Sequence, residues 1–178
     1  DVAAGHGRYD LDALAQGEQR ADAILLRDFS ERNVVEGRAL IEAFGAADIA
    51  RFEQGDAFDA DALAAMPDTP TLSIVSGLYE LFSDNGQVLA SLQGVVRSLR
   101  PGGYLIYTAQ PWHPQLDMIA YTLVNHRGLP WKMRPRPQAE MDGLVVLAGA
   151  CKIDTAIGVD GIFTVSLARK DAAPGAGG

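Results

Sequence analysis

One cysteine, Cys151, stands among 178 residues, so no disulfide can form within the chain. Residues 148–153 around it are small and apolar, which marks a buried thiol rather than a nucleophile. No apolar run reaches the ~18 residues that a membrane span needs. No signal peptide is visible, and a cytoplasmic location is the expectation. The three histidines, His6, His113 and His126, are scattered; with a single cysteine they give no metal-ligand spacing. Basic residues are few: 15 Lys and Arg against 23 Asp and Glu leave a net charge of −8. Phosphates attract cations, so this balance excludes the footprint of a nucleic-acid binder. The one dense basic cluster, Lys132, Arg134 and Arg136, is interleaved with prolines and reads as a solvated loop. A serine-hydrolase elbow is also missing, because Ile74-Val75-Ser76-Gly77-Leu78 lacks its first glycine.

The length suits one domain, large enough to bury a core without staples. Strand-like and helix-like segments alternate, which predicts βαβ units and a mostly parallel sheet. Residues 1–7 read as a strand end running into a glycine turn. A short helix over 8–15 follows, then a buried strand over 23–27 that ends at Asp28. Ser30 is placed to cap a helix over 31–44, with Gly45 behind it. Strands are expected at 50–54, 71–76 and 104–108, with helices at 60–65 and 87–99. Pro101-Gly102-Gly103 is a turn. An amphipathic helix over 115–125 leads to a proline-rich loop, then to a helix over 138–147. Two strands over 152–157 and 162–168 flank a hairpin signal at 158–161. Residues 171–178 read as a disordered tail.

Five short stretches carry chemistry. Asp1-Val2-Ala3-Ala4-Gly5-His6-Gly7 is a bend where backbone can approach a ligand closely and helix amides can face an electron-rich group. Asp28 lies 21 positions after Gly7, where a carboxylate can accept both hydroxyls of a ribose. Gly55-Asp56-Ala57-Phe58 offers an acid and an aromatic that could meet an adenine ring; the plainer reading is an Asx turn with a core phenylalanine. Ser76-Gly77-Leu78-Tyr79-Glu80 follows the apolar strand at its carboxyl end, where open α/β sheets bind ligands. Leu99-Arg100-Pro101-Gly102-Gly103-Tyr104 is a helix end, a turn and a strand start.

In this order and spacing the set resembles the class I S-adenosylmethionine-dependent methyltransferases over residues 1–170. Several phrases, among them Gly77-Leu78-Tyr79-Glu80-Leu81-Phe82 and Gln110-Pro111-Trp112-His113-Pro114-Gln115, are similar to a bacterial branch sometimes fused behind an α/β-hydrolase domain. The resemblance implies a Rossmann-like α/β fold with an antiparallel C-terminal hairpin strand and helices on both faces. It implies that Gly5 and Gly7 line the methionine portion of S-adenosylmethionine, with Asp1 anchoring the turn and Ala3 in place of the usual first glycine. Asp28 would bind ribose, with Phe29 in the same cofactor-binding set. Asp56 would meet the adenine amino group, with Ala57 and Phe58 beside the ring. Ser76 and Gly77 would close the pocket over the sulfonium. The implied acceptor is a small molecule or lipid. Glu80 and His113 are the candidates for contact with it, Tyr79 follows the same strand, and His6 reads as a packing or cofactor-shell residue.

Two other readings compete. A nicotinamide-dependent oxidoreductase shares the glycine turn, but Gly5-His6-Gly7-Arg8-Tyr9-Asp10 lacks the third glycine of the dinucleotide fingerprint. A non-catalytic cofactor-binding module would look the same, because methyl transfer needs no base. The resemblance also implies a first strand that lies between the second and fourth, of which only the end is present. The natural protein is therefore expected to be longer, and the fragment alone to bind cofactor weakly. Calorimetry with S-adenosylhomocysteine, on this chain and on one extended upstream, checks this; equal tight binding refutes it.

Overall fold

The computed structural model describes residues 1–17, 21–66, 69–125 and 128–171. His126 and the expected tail beyond residue 171 lie outside them. Each expected strand forms: β1 (Ile24–Asp28), β2 (Ala50–Gln54), β3 (Leu72–Val75), β4 (Tyr104–Ala109), β5 (Ala150–Ile157) and β6 (Thr164–Lys170). β1 pairs with β2, and β3 with β4, in parallel. β6 inserts antiparallel beside β4 and carries β5 at the edge, giving the order β3-β4-β6-β5. Val2 bridges Arg27 on one side and Val75 on the other, both parallel. It thus stands between β1 and β3, where the family resemblance implies a first strand, and joins the two-stranded and four-stranded pieces.

This is a Rossmann-like α/β arrangement. Helices α1 (Arg8–Gln16) and α2 (Glu31–Ala43) pack with β1 and β2 around Leu11, Leu26, Ile41 and Phe52. Helices α3 (Ala60–Ala64), α4 (Asn85–Ser98) and α6 (Gln138–Leu147) pack with β3, β4 and β6 around Leu63, Val75, Leu92, Leu105, Tyr107 and Met141. Alternate residues of β4 (Leu105, Tyr107 and Ala109) are buried, as the two-residue period of a strand requires.

Among the described residues, side-chain caps set three of the six α-helix starts, those of α2, α3 and α4. Ser30 Oγ accepts the Asn33 amide at 3.4 Å ahead of α2. Asp84 accepts the Gly86 amide at 2.7 Å, so α4 opens two residues before the expected start. Helix α5 (Leu116–Thr122) is shorter than the expected 115–125 and buries no residue. Leu123 is extended, and its carbonyl accepts the Trp131 amide at 3.0 Å, which ends the helix. The amphipathic pattern there has no packed face among the described residues: Met118 and Tyr121 are exposed.

Cys151 corrects a sequence expectation. It is exposed rather than buried, because β5 is the edge strand and only Ala150 of its eight residues is fully buried.

The α3–α4 contact yields a prediction. A Cβ on Gly94 would stand 2.8 Å from both Cα and O of Ala60. Backbone cannot yield as a flexible side chain can, so overpacking outweighs alanine's better helix propensity. Gly94→Ala is expected to lower stability by about 1–3 kcal/mol, measured as a denaturant midpoint shift at unchanged slope.

Candidate active site

The carboxyl ends of β1, β2 and β3 meet the glycine bend. Ala3, Gly5 and Gly7 all have left-handed backbone, at φ 60°, 60° and 70°. For alanine this conformation costs roughly 1–2 kcal/mol, held in place by the Ala4 amide bonding the Arg27 carbonyl at 2.9 Å. A Cβ on Gly5 would meet nothing within 4 Å, so open space lies beside that turn. Gly7 is needed for a different reason: a Cβ there would come within 2.3 Å of Leu26 Cδ1.

Asp28 ends β1 and is almost fully buried. Its Oδ2 accepts the Gly5 amide at 2.9 Å. Its Oδ1 accepts the Ser30 amide at 2.9 Å and Asn33 Nδ2 at 3.0 Å. Two carboxylate oxygens offer about four acceptor positions, so capacity remains for a ligand. The Asp28 carbonyl accepts the Gly55 amide at 2.9 Å, and the Phe29 carbonyl accepts Gln54 Nε2 at 3.0 Å. The loops after β1 and β2 are thereby locked together, with the Phe29 ring in solvent. Asp56 is exposed and caps its own turn, Oδ1 accepting the Phe58 amide at 2.9 Å. Ala57 is buried, its carbonyl accepting Ser91 Oγ at 2.5 Å. The Phe58 ring packs on Phe82 with centroids 4.3 Å apart. Tyr9 hydroxyl donates to the Asp1 carboxylate and also hydrogen-bonds Ser76. Hydrogen bonds thus link Asp1 to Tyr9, Gly5 to Asp28, and Asp28 to Gly55, next to Asp56, along the crevice outside the carboxyl ends of these strands.

A second feature lies beyond Ser76. Gly77 has φ 68° and donates its amide to Thr108 Oγ1 at 2.8 Å, linking the loops after β3 and β4. Glu80 follows on a single 3-10 turn, Tyr79–Leu81, at 6% exposure. Its Oε2 is buried without a hydrogen-bond partner, and so is Oε1 of Gln110, itself 4% exposed. Glu80, Gln110, Tyr79, Thr108, Met141 and the guanidinium-bearing Arg134 and Arg136 are among the residues that line a cavity of about 10 Å³, room for about one water-sized group. Burial pushes the Glu80 carboxyl above its ordinary range, while the Arg136 guanidinium pulls it the other way. Gln110 stood in the sequence only as part of the 110–115 phrase, with no role of its own, because its neighbours are decided by long-range pairing.

Several expectations change here. Arg136 is not in a solvated loop: it is 3% exposed. Its guanidinium donates to the Tyr79 carbonyl at 2.5 Å, the Phe82 carbonyl at 2.6 Å and Asn85 Oδ1 at 2.9 Å. Arg134 donates to the Ser83 carbonyl at 2.8 Å and to Glu140 at 2.6 Å. The proline-rich loop thus clamps the turn that bears Glu80. Tyr79 is a core residue whose hydroxyl lies 3.1 Å from Ser91 Oγ. His113 Nδ1 accepts the Gln115 amide at 3.1 Å, a local turn contact. His6 pairs with Glu36 at 2.9 Å on a half-exposed surface and does not pack in the core. Among the described residues no cluster of His, Cys, Asp and Glu could hold a metal, and no helix is long and apolar enough to cross a membrane.

The family model described as "Putative methyltransferase" matches residues 1–170. The chain belongs to this family. It is 57% identical over 173 residues to the uncharacterized protein YnbC of Escherichia coli (strain K12), covering 96% of this chain and 29% of that protein. The chain thus spans less than a third of that relative's length. An O-methyltransferase family protein from Burkholderia thailandensis shares the fold with TM-score 0.76 at 16% identity, over 97% of this chain and 50% of that one. Magnesium protoporphyrin IX methyltransferase from Synechocystis PCC 6803, solved with bound S-adenosylhomocysteine, matches with TM-score 0.70 at 15% identity, over 96% of this chain and 73% of that one. The methyltransferase family and its fold are therefore established for this chain.

Burial of Glu80 has a pH consequence. The folded state holds its proton at pH values where the unfolded chain has lost it, so stability falls as pH rises from the ordinary value of 4.5 through the raised one. Glu80→Gln removes this loss. The variant should unfold at a higher temperature than wild type at pH 8, with the difference fading to nothing near pH 4. An equal difference at both pH values would contradict the assignment.

Proposed function

We propose that this methyltransferase domain, residues 1–170, moves a methyl group from S-adenosylmethionine to a small-molecule or lipid acceptor. The observation that carries the reading is the convergence on Asp28. Its carboxylate holds the Gly5 amide, and its carbonyl holds the Gly55 amide. One acid therefore orders both the glycine bend and the loop bearing Asp56. An acid at this strand end suits a ribose, and an amide-rich bend suits the electron-rich end of an amino-acid moiety.

The residues present fit the cofactor. Gly5 leaves open space that a Cβ would fill. Ala3, Gly5 and Gly7 would border the methionine portion, with Asp1, fixed by Tyr9, facing its amino group. Asp28 retains acceptor capacity for ribose hydroxyls, with Phe29 alongside. Exposed Asp56 would accept from the adenine amino group, with Ala57 and Phe58 flanking the ring. Ser76 and Gly77 would close over the sulfonium. When bound, the cofactor supplies an activated methyl group. The protein's part is to hold donor and acceptor in line and to exclude water. Glu80, on the turn after β3, would receive a proton from the acceptor, and His113 lies on the loop after β4. Solved structures of this fold with bound S-adenosylhomocysteine support the cofactor reading, and one of them also holds 1,4-dihydroxy-2-naphthoic acid.

Calorimetry with S-adenosylhomocysteine on the full-length protein tests this. Asp28→Asn keeps the shape and removes the charge; affinity should fall at least about tenfold, or about 1.4 kcal/mol. Asp56→Ala should weaken binding by a smaller factor, because its site is exposed and water competes. Unchanged affinity in a folded Asp28→Asn would remove the basis of the reading.

A further inference from the structure

Two buried acceptors share one small cavity, Glu80 Oε2 and Gln110 Oε1, and neither has a partner. An unsatisfied buried polar atom costs about 1–3 kcal/mol, more when it is charged. The two nearby guanidiniums are committed elsewhere. Arg136 donates to the Tyr79 and Phe82 carbonyls and Asn85. Arg134 donates to the Ser83 carbonyl, Asn85 and Glu140. Thr108 Oγ1 is held by the Gly77 amide. Both guanidiniums border the niche, yet neither donates to Glu80 Oε2 or Gln110 Oε1, which leaves two acceptors without a donor.

Among the head groups that an acceptor can present, that count discriminates. A hydroxyl brings one proton and can satisfy one of the two oxygens. An amino group brings two or three and can satisfy both. The cavity, at about 10 Å³, has room for about one group of that size. Its place is also telling. It lies at the carboxyl ends of β3 and β4, beside the Ser76–Gly77 loop, where a Cβ on Gly77 would stand 3.9 Å from Glu80 Oε1. Granting the methyl-transfer reading above, we infer that the niche seats an amino group of the acceptor, with Gln110 orienting it and Glu80 receiving its proton. In that step an acceptor N–H bond breaks and its proton passes to the Glu80 carboxylate. The nitrogen lone pair forms the bond to the methyl carbon as the carbon–sulfur bond breaks, with its electrons left on sulfur. Gln110 is a specificity-determining residue here, since it supplies the second acceptor that separates amine from alcohol.

Ligand-observed saturation-transfer NMR on the full-length protein tests this with methylammonium and methanol at equal concentration. Wild type should give a saturable methylammonium signal and a far weaker methanol signal. Gln110→Leu and Glu80→Gln should each weaken methylammonium binding about tenfold, and Gln110→Glu, which keeps an acceptor and adds charge, should strengthen it. Equal signals from wild type and folded Gln110→Leu would overturn the inference and leave the niche as the seat of a structural water. So would methanol matching methylammonium. If Gln110→Leu does not fold, Gln110→Glu decides, and no gain there is equally fatal. Calorimetry with S-adenosylhomocysteine separates the two readings. Heat of binding retained in all four proteins, without methylammonium selectivity, sinks only the amine niche. No heat in any of them sinks the cofactor reading.

Discussion

Backbone hydrogen bonds from residues 1–4 join the two pieces of the sheet. On one side the Asp1 nitrogen donates to the Leu25 carbonyl at 2.7 Å, the Arg27 amide to the Asp1 carbonyl at 3.0 Å, and the Ala4 amide to the Arg27 carbonyl at 2.9 Å. On the other the Val2 amide donates to the Ile74 carbonyl at 2.9 Å. Each bond contributes about 1 kcal/mol net, but their geometry matters more than their sum. They fix the height at which the chain leaves the sheet, and so the point where Gly5 turns toward Asp28. The left-handed Ala3 follows from the same constraint: the bend must begin there whatever residue occupies it.

From that seam the crevice and the niche inherit their positions differently. The crevice is built on backbone: amides of Gly5, Ser30 and Gly55 converge on one residue, Asp28. Such a site tolerates side-chain drift, which accords with a shared fold at 15–19% identity among the solved relatives. The niche is built on side chains. Arg136 reaches across from the proline-rich loop to hold the carbonyls of the Glu80 turn. An arginine suits this, because its planar fork can serve several acceptors at once. Burial keeps the Glu80 carboxyl high, and the pull of Arg136 limits the rise.

A polar network ties the far end of the sheet to α6. Tyr107 hydroxyl donates to Asp142 at 2.7 Å, and Lys152 Nζ approaches the same carboxylate at 2.5 Å. Gln138 donates to Asp142 at 2.7 Å and accepts from Thr164 at 2.5 Å. Tyr107 and Ser166 are fully buried, so these partners satisfy groups that would otherwise destabilise the interior. Met141, on the same helix, lines the niche floor. The antiparallel β6 thus helps to fix the cavity as well as to close the sheet.

Local sequence by itself determined the strands, the order of the ligand-facing turns and most helix ends. Apolar periodicity, Gly-Asp pairs and caps such as Ser30 act over a few residues, so they are visible without a fold. The likeness to known methyltransferases rested on that layer, and the expectation of a central first strand came from that likeness. Tertiary structure alone decided which polar groups are buried and with whom. Gln110 and Arg136 look like ordinary polar residues until strands and loops far apart in sequence surround them. Cys151 looked buried until β5 proved to be an edge, and helix α5 ended early because the Leu123 carbonyl met Trp131. Burial and hydrogen-bond satisfaction depend on long-range contacts, and no short window of sequence contains both partners.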